Sequence, residues 1–86
     1  MVEANPNMDD EEMKIENPAE LAELKKNEGN AALREGDLER AVSLYTEAIE
    51  INKNEGMFTN RAMAYIKQRN YKDALFDCEQ ALYLNP

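Results

Sequence analysis

Apolar residues recur at intervals of three and four along most of the chain, and no segment sustains the alternation of a strand. The clearest stripe is Leu38, Ala41, Val42, Tyr45, Ala48 and Ile49, one broad face of a helix over about 38–51. Before it, Asn17-Pro18 reads as a helix start. Asn suits the cap and Pro the first helical position, and Glu20 stands three beyond Asn17 as in a capping box. That helix runs to Glu35, Gly36 closes it in a left-handed conformation, and Asp37 caps the next one. Asn52-Lys53-Asn54 makes a turn, a third helix covers about 55–68 and a fourth about 71–84. The predicted fold class is all-α.

The second half repeats the first at an offset of 33 residues. Gly29 maps to Ala62, Asp37 to Asn70, Leu38 to Tyr71, Ala41 to Ala74, Tyr45 to Cys78, Ala48 to Ala81, Ile49 to Leu82 and Asn52 to Asn85. A period of this length made of helix, turn and helix predicts two stacked antiparallel hairpins, a fragment of a right-handed α-superhelix. Small residues at Gly29, Ala41, Ala48, Ala62, Ala74 and Ala81 let helix axes approach. Tyr45, Phe58, Tyr65 and Tyr71 are expected to fill the remaining space, and Cys78 to be a small buried hydrophobe.

Composition narrows the function. The chain has 86 residues and a net charge of −8, of which the first twenty residues carry −6, seven acids against Lys14. Residues 1–16 show no helical or strand period and are expected to form an acidic, disordered tail, leaving 17–86 as the domain. Without a basic stripe the balance argues against nucleic acid as a partner. No apolar run approaches the roughly 20 residues that span a membrane. A single cysteine and no histidine exclude a disulfide framework and a Cys/His metal site, so no cofactor or metal is expected, and a reducing compartment, cytoplasm or nucleus, is the expected location. No nucleophile elbow, phosphate loop or acid/base pair points to an enzyme.

The repeat resembles the tetratricopeptide repeat. Gly29, Ala41 and Ala48, then Ala62, Ala74 and Ala81, match that family's small positions, Tyr45 and Tyr65 two of its aromatic ones, and Pro86 its closing proline. The resemblance covers Ala22 to Pro86, with repeats at about 22–54 and 55–86; Lys25, Ala32, Lys53 and Cys78 depart from its pattern. Within the family the chain is most similar to co-chaperones that bind the C-terminal Glu-Glu-Val-Asp tail of the seventy- and ninety-kilodalton heat-shock proteins. In those, a Lys-x-x-x-Asn on the first helix and an Asn-Arg on the third contribute to a clamp for the terminal carboxylate; here these are Lys26 to Asn30 and Asn60-Arg61. Two further cations from a third repeat complete that clamp, and the chain is expected to be a fragment of a longer protein.

The chemistry fits such a ligand. Lys26 and Asn30 lie four apart and share a helix face, one offering a charge and the other an amide donor. Asn is a poor residue for a helix interior, so Asn30 and Asn60 at mid-helix call for a reason. Leu33 and Met63, each three residues beyond an asparagine, are expected to meet an apolar side chain of the peptide. Arg61 is turned about 100° from Asn60 and is assigned a salt bridge with a neighbouring acid. The expected role is a peptide-holding adaptor. The alternative is an assembly module that uses its hairpin faces, through self-association or a docked helix over the apolar end at Tyr83 and Leu84, without reading a carboxylate.

Overall fold

A computed structural model of the chain describes residues 17–86, and the expected acidic tail lies outside them. Four helices follow one another: α1 (Pro18–Glu35), α2 (Leu38–Ile51), α3 (Glu55–Lys67) and α4 (Tyr71–Leu84). There is no strand among the described residues. The Asn17 side chain accepts from the Ala19 amide, with Pro18 opening α1 as expected. Glu20 completes no capping box, because only its backbone N–H is engaged, on the Asn17 carbonyl.

α1 pairs with α2, α3 with α4, and α2 packs against α3 to join the two hairpins. Two apolar clusters hold this stack. One gathers Ala22, Ala48, Ile49, Met57 and Phe58, the other Ala32, Ala41, Leu44, Tyr45 and Ala64. Gly29 explains itself here: a Cβ on it would stand 2.8 Å from the Tyr45 ring. The ring therefore lies directly on the α1 backbone, and the helix tolerates glycine because the aromatic occupies that space.

The 33-residue period reaches the hydrogen bonds of the turns. Gly36 N–H donates to the Leu33 carbonyl and Asp37 N–H to that of Ala32; in the second hairpin Arg69 N–H donates to Ile66 and Asn70 N–H to Tyr65. Both turns place their first residue in the left-handed region, Gly36 at φ 84° and Arg69 at φ 65°. Glycine adopts this freely, whereas arginine is strained there by its Cβ. Arg69→Gly should therefore stabilise the chain by about 0.5–1 kcal/mol, read as a higher urea midpoint at unchanged slope. A lower midpoint would mean that the Arg69 side chain contributes more than its backbone strain removes.

Two expectations for α4 are corrected. Tyr71 is 61% exposed and Cys78 is also exposed, instead of filling or lining the core. Tyr45, the counterpart of Cys78, is enclosed because α3 contributes Ala64 on the far side of α2. No helix follows α4 among the described residues, so the same positions one repeat later stand open.

Candidate functional site

The two mid-helix asparagines converge. The Asn60 Nδ2 of α3 donates to the Asn30 Oδ1 of α1 across 3.3 Å, and the Tyr45 hydroxyl of α2 donates to the same oxygen at 2.5 Å. Three helices thus meet at one amide. Tyr45 is fully buried, and burial pushes its phenol above the ordinary tyrosine range, an effect that the nearby Arg34 charge partly opposes. Asn30 and Asn60 themselves are half-buried, so the cluster opens to solvent.

Lys26 lies one helical turn before Asn30, about 6 Å along the axis. Its Nζ contacts the Glu23 carboxylate at 2.8 Å, and its side chain keeps 25% of its accessible surface. Exposed pairs of this kind contribute only about 0–1 kcal/mol, so Glu23 holds Lys26 weakly. Leu33 leans on the cluster around Tyr45 and is half-buried, whereas Met63 is 47% exposed one turn beyond Asn60. The structure therefore joins Asn30 to Asn60 directly, sets Lys26 a turn away, and leaves Leu33 and Met63 partly accessible one turn on.

Arg61 turns away from this cluster, as its helical phase requires. Its Nε and Nη2 donate to the two oxygens of Asp77 on α4 at 2.8 and 2.7 Å, and its Nη1 to Thr46 on α2 at 2.9 Å. The guanidinium carbon lies 5.7 Å from the ring centres of Phe58 and of Tyr65. The hydrogen bonds that Arg61 donates to Asp77 outweigh the effect of burial and hold Arg61 more firmly charged than usual. Burial raises the Tyr65 phenol as well, against the lowering effect of the Arg61 charge. Asp77 is 0% exposed, so this pair fixes α3 between its neighbours and with it the position of Asn60, the residue before Arg61.

Sequence reasoning singled out neither Asp77 nor the hydroxyl of Tyr45. The signal for Asp77 was present: with Ala74 and Ala81 it keeps the spacing of three and four, and its counterpart in the first repeat is Leu44. An acid on an apolar stripe needs a buried partner, and Arg61, assigned a salt bridge with a neighbouring acid, is that partner. No comparable signal exists for Tyr45, because a core tyrosine and one that also orients a neighbour look alike in sequence.

The tetratricopeptide repeat profile matches residues 22–55, and a second profile of the same repeat matches 57–86. The chain is 46% identical over 63 residues to human tetratricopeptide repeat protein 12, covering 72% of this chain and 9% of that protein. It is 43% identical over 67 residues to the small glutamine-rich tetratricopeptide repeat-containing protein of Dictyostelium discoideum, covering 77% and 20%. Identity to heat shock protein STI1 of Saccharomyces cerevisiae is 35% over 63 residues, covering 71% and 11%. The chain thus spans a fifth or less of the length of these relatives. With both hairpins matched and the small-residue packing in place, the chain belongs to the tetratricopeptide repeat family.

Proposed function

We propose that this protein–protein interaction module holds the C-terminal carboxylate of a partner, of the Glu-Glu-Val-Asp kind carried by heat-shock chaperones, at Lys26, Asn30 and Asn60. The observation that carries the reading is the junction of Asn30 and Asn60, two polar side chains from successive repeats meeting at an open edge of the stack. A purely structural stack has little use for amides there, since each sits mid-helix where Asn is disfavoured. Lys26 adds the charge that turns an amide cluster into an anion site. Leu33 and Met63 supply apolar surface for the side chain next to the terminus. The similarity to a protein named heat shock protein STI1 supports the same direction. A cytoplasmic setting follows from such a partner.

Fluorescence anisotropy with a labelled peptide ending in Glu-Glu-Val-Asp tests this. The free-acid peptide should bind about tenfold or more tighter than its C-terminal amide, as expected when hydrogen bonds to a charged group are lost. Lys26→Ala and Asn60→Ala should each remove most of that difference. Equal binding of the two peptides would refute the carboxylate reading. Concentration-dependent sedimentation of the free chain alongside equal binding would favour assembly, through the face of α4 on which Leu75, Phe76, Leu82 and Tyr83 are all exposed.

A further inference from the structure

The contact between Tyr45 and Asn30 decides which end of the Asn30 amide faces outward. Tyr45 is fully buried, and the hydrogen-bond partner of its hydroxyl among the described residues is Asn30 Oδ1. A buried hydroxyl left without an acceptor is destabilising, so the phenol proton needs that oxygen. Turning the amide over would strand the proton and also set the Asn30 NH2 against the Asn60 Nδ2, donor against donor. The oxygen is thereby held inward by two donors.

What Asn30 leaves on the outside is of one kind. The Asn30 Nδ2 carries two N–H donors with no protein acceptor among the described residues, Asn60 keeps a second N–H beyond the one given to Asn30, and Lys26 carries three, one of them given to Glu23. Because burial raises the phenol, Tyr45 keeps its proton throughout the neutral range and the orientation does not change with pH there.

We propose that Tyr45 is the positioning residue that makes this site selective: by fixing the Asn30 oxygen inward it leaves Asn30 presenting donors alone, so that a carboxylate, which only accepts, is preferred over a terminal amide, which brings donors of its own. The inference rests on the carboxylate reading above and adds the residue that sets its specificity. Tyr45→Phe isolates it, since the ring over Gly29 stays and only the hydroxyl is removed. In the variant the Asn30 amide is free to turn over.

The experiment measures free-acid and amidated Glu-Glu-Val-Asp peptides against the wild-type chain and against Tyr45→Phe, with an amide NMR fingerprint confirming the fold of each. The wild type should prefer the acid by about tenfold, and Tyr45→Phe should weaken the acid by about fivefold and the amide far less, shrinking the ratio to about two. No preference in the wild type refutes the carboxylate reading itself. A wild-type preference that survives intact in folded Tyr45→Phe overturns the positioning role and leaves that reading standing. Should Tyr45→Phe not fold, the wild type still decides: a slowly exchanging Tyr45 hydroxyl proton with a cross-peak to the Asn30 side chain supports the pin, and a rapidly exchanging one overturns it.

Discussion

Asp77→Ala should lower the unfolding free energy by about 3–5 kcal/mol, the usual consequence of removing one partner from a buried ion pair. Asp77 is 0% exposed and the Arg61 side chain 13%, so the cation has little water to fall back on once the carboxylate is gone. Thr46 accepts one of its N–H groups, and the donors now engaged by Asp77 would be left without an acceptor. The phenyl and phenol rings on either side attract the cation but accept no hydrogen bond of comparable strength. Small domains fold with about 5–15 kcal/mol to spare at most, and one of this size lies toward the lower end. A substantial unfolded fraction at 37 °C follows, visible by far-UV circular dichroism and urea titration. The control is Arg61→Leu combined with Asp77→Leu, which removes both charges and should recover most of the loss. If Asp77→Ala melts within about 1 kcal/mol of the wild type, or the double variant is the less stable, the pair does not fix α3 between its neighbours as described.

Much of this architecture was legible in the chain because local signals agreed with one another. Asn17-Pro18, Gly36 and Asp37 mark the ends of α1 and α2 by backbone rules that need no tertiary context, and all three act as those rules require. The offset of 33 residues then placed α3 and α4 by analogy with the first hairpin. The analogy failed where burial depends on the next neighbour instead of on the residue itself. Cys78 and Tyr71 occupy core positions of the pattern but lack a further hairpin among the described residues to cover them. It held at Arg69, whose backbone copies Gly36 although its side chain gives no hint of a left-handed turn. At the candidate site, the family resemblance pointed to Lys26, Asn30 and Asn60, and spacing put Lys26 and Asn30 on one helix face. The direction of the Asn30 amide was out of reach, because it is set by a hydroxyl fifteen residues away on another helix.

Tyr45→Ala should be comparably damaging, at about 3–5 kcal/mol, and its neighbours place it toward the top of that range. The cost of deleting a buried ring depends on how far the surroundings collapse into the void. Here much of the void would be lined by Gly29 and by Ala32, Ala41 and Ala64, whose side chains are too short to move in. Asn30 would also lose a donor to its oxygen. The close approach of ring and glycine supplies a sharper test than the loss alone. In the wild type, Gly29→Ala brings a Cβ to 2.8 Å from the ring, and because the fully buried Tyr45 cannot swing aside, the overlap should destabilise by about 1–3 kcal/mol. With Tyr45→Ala already in place the ring is absent, and the same change should stabilise by about 1 kcal/mol, the helix propensity of alanine over glycine. Urea titrations of the four chains, run in trimethylamine N-oxide where a variant is too weak to fold alone, give the sign of each step. A substitution that changes sign with its neighbour is the mark of direct contact. If Gly29→Ala stabilises in both backgrounds, the ring does not rest on the α1 backbone, and the placing of the Tyr45 hydroxyl beneath Asn30 loses its foundation.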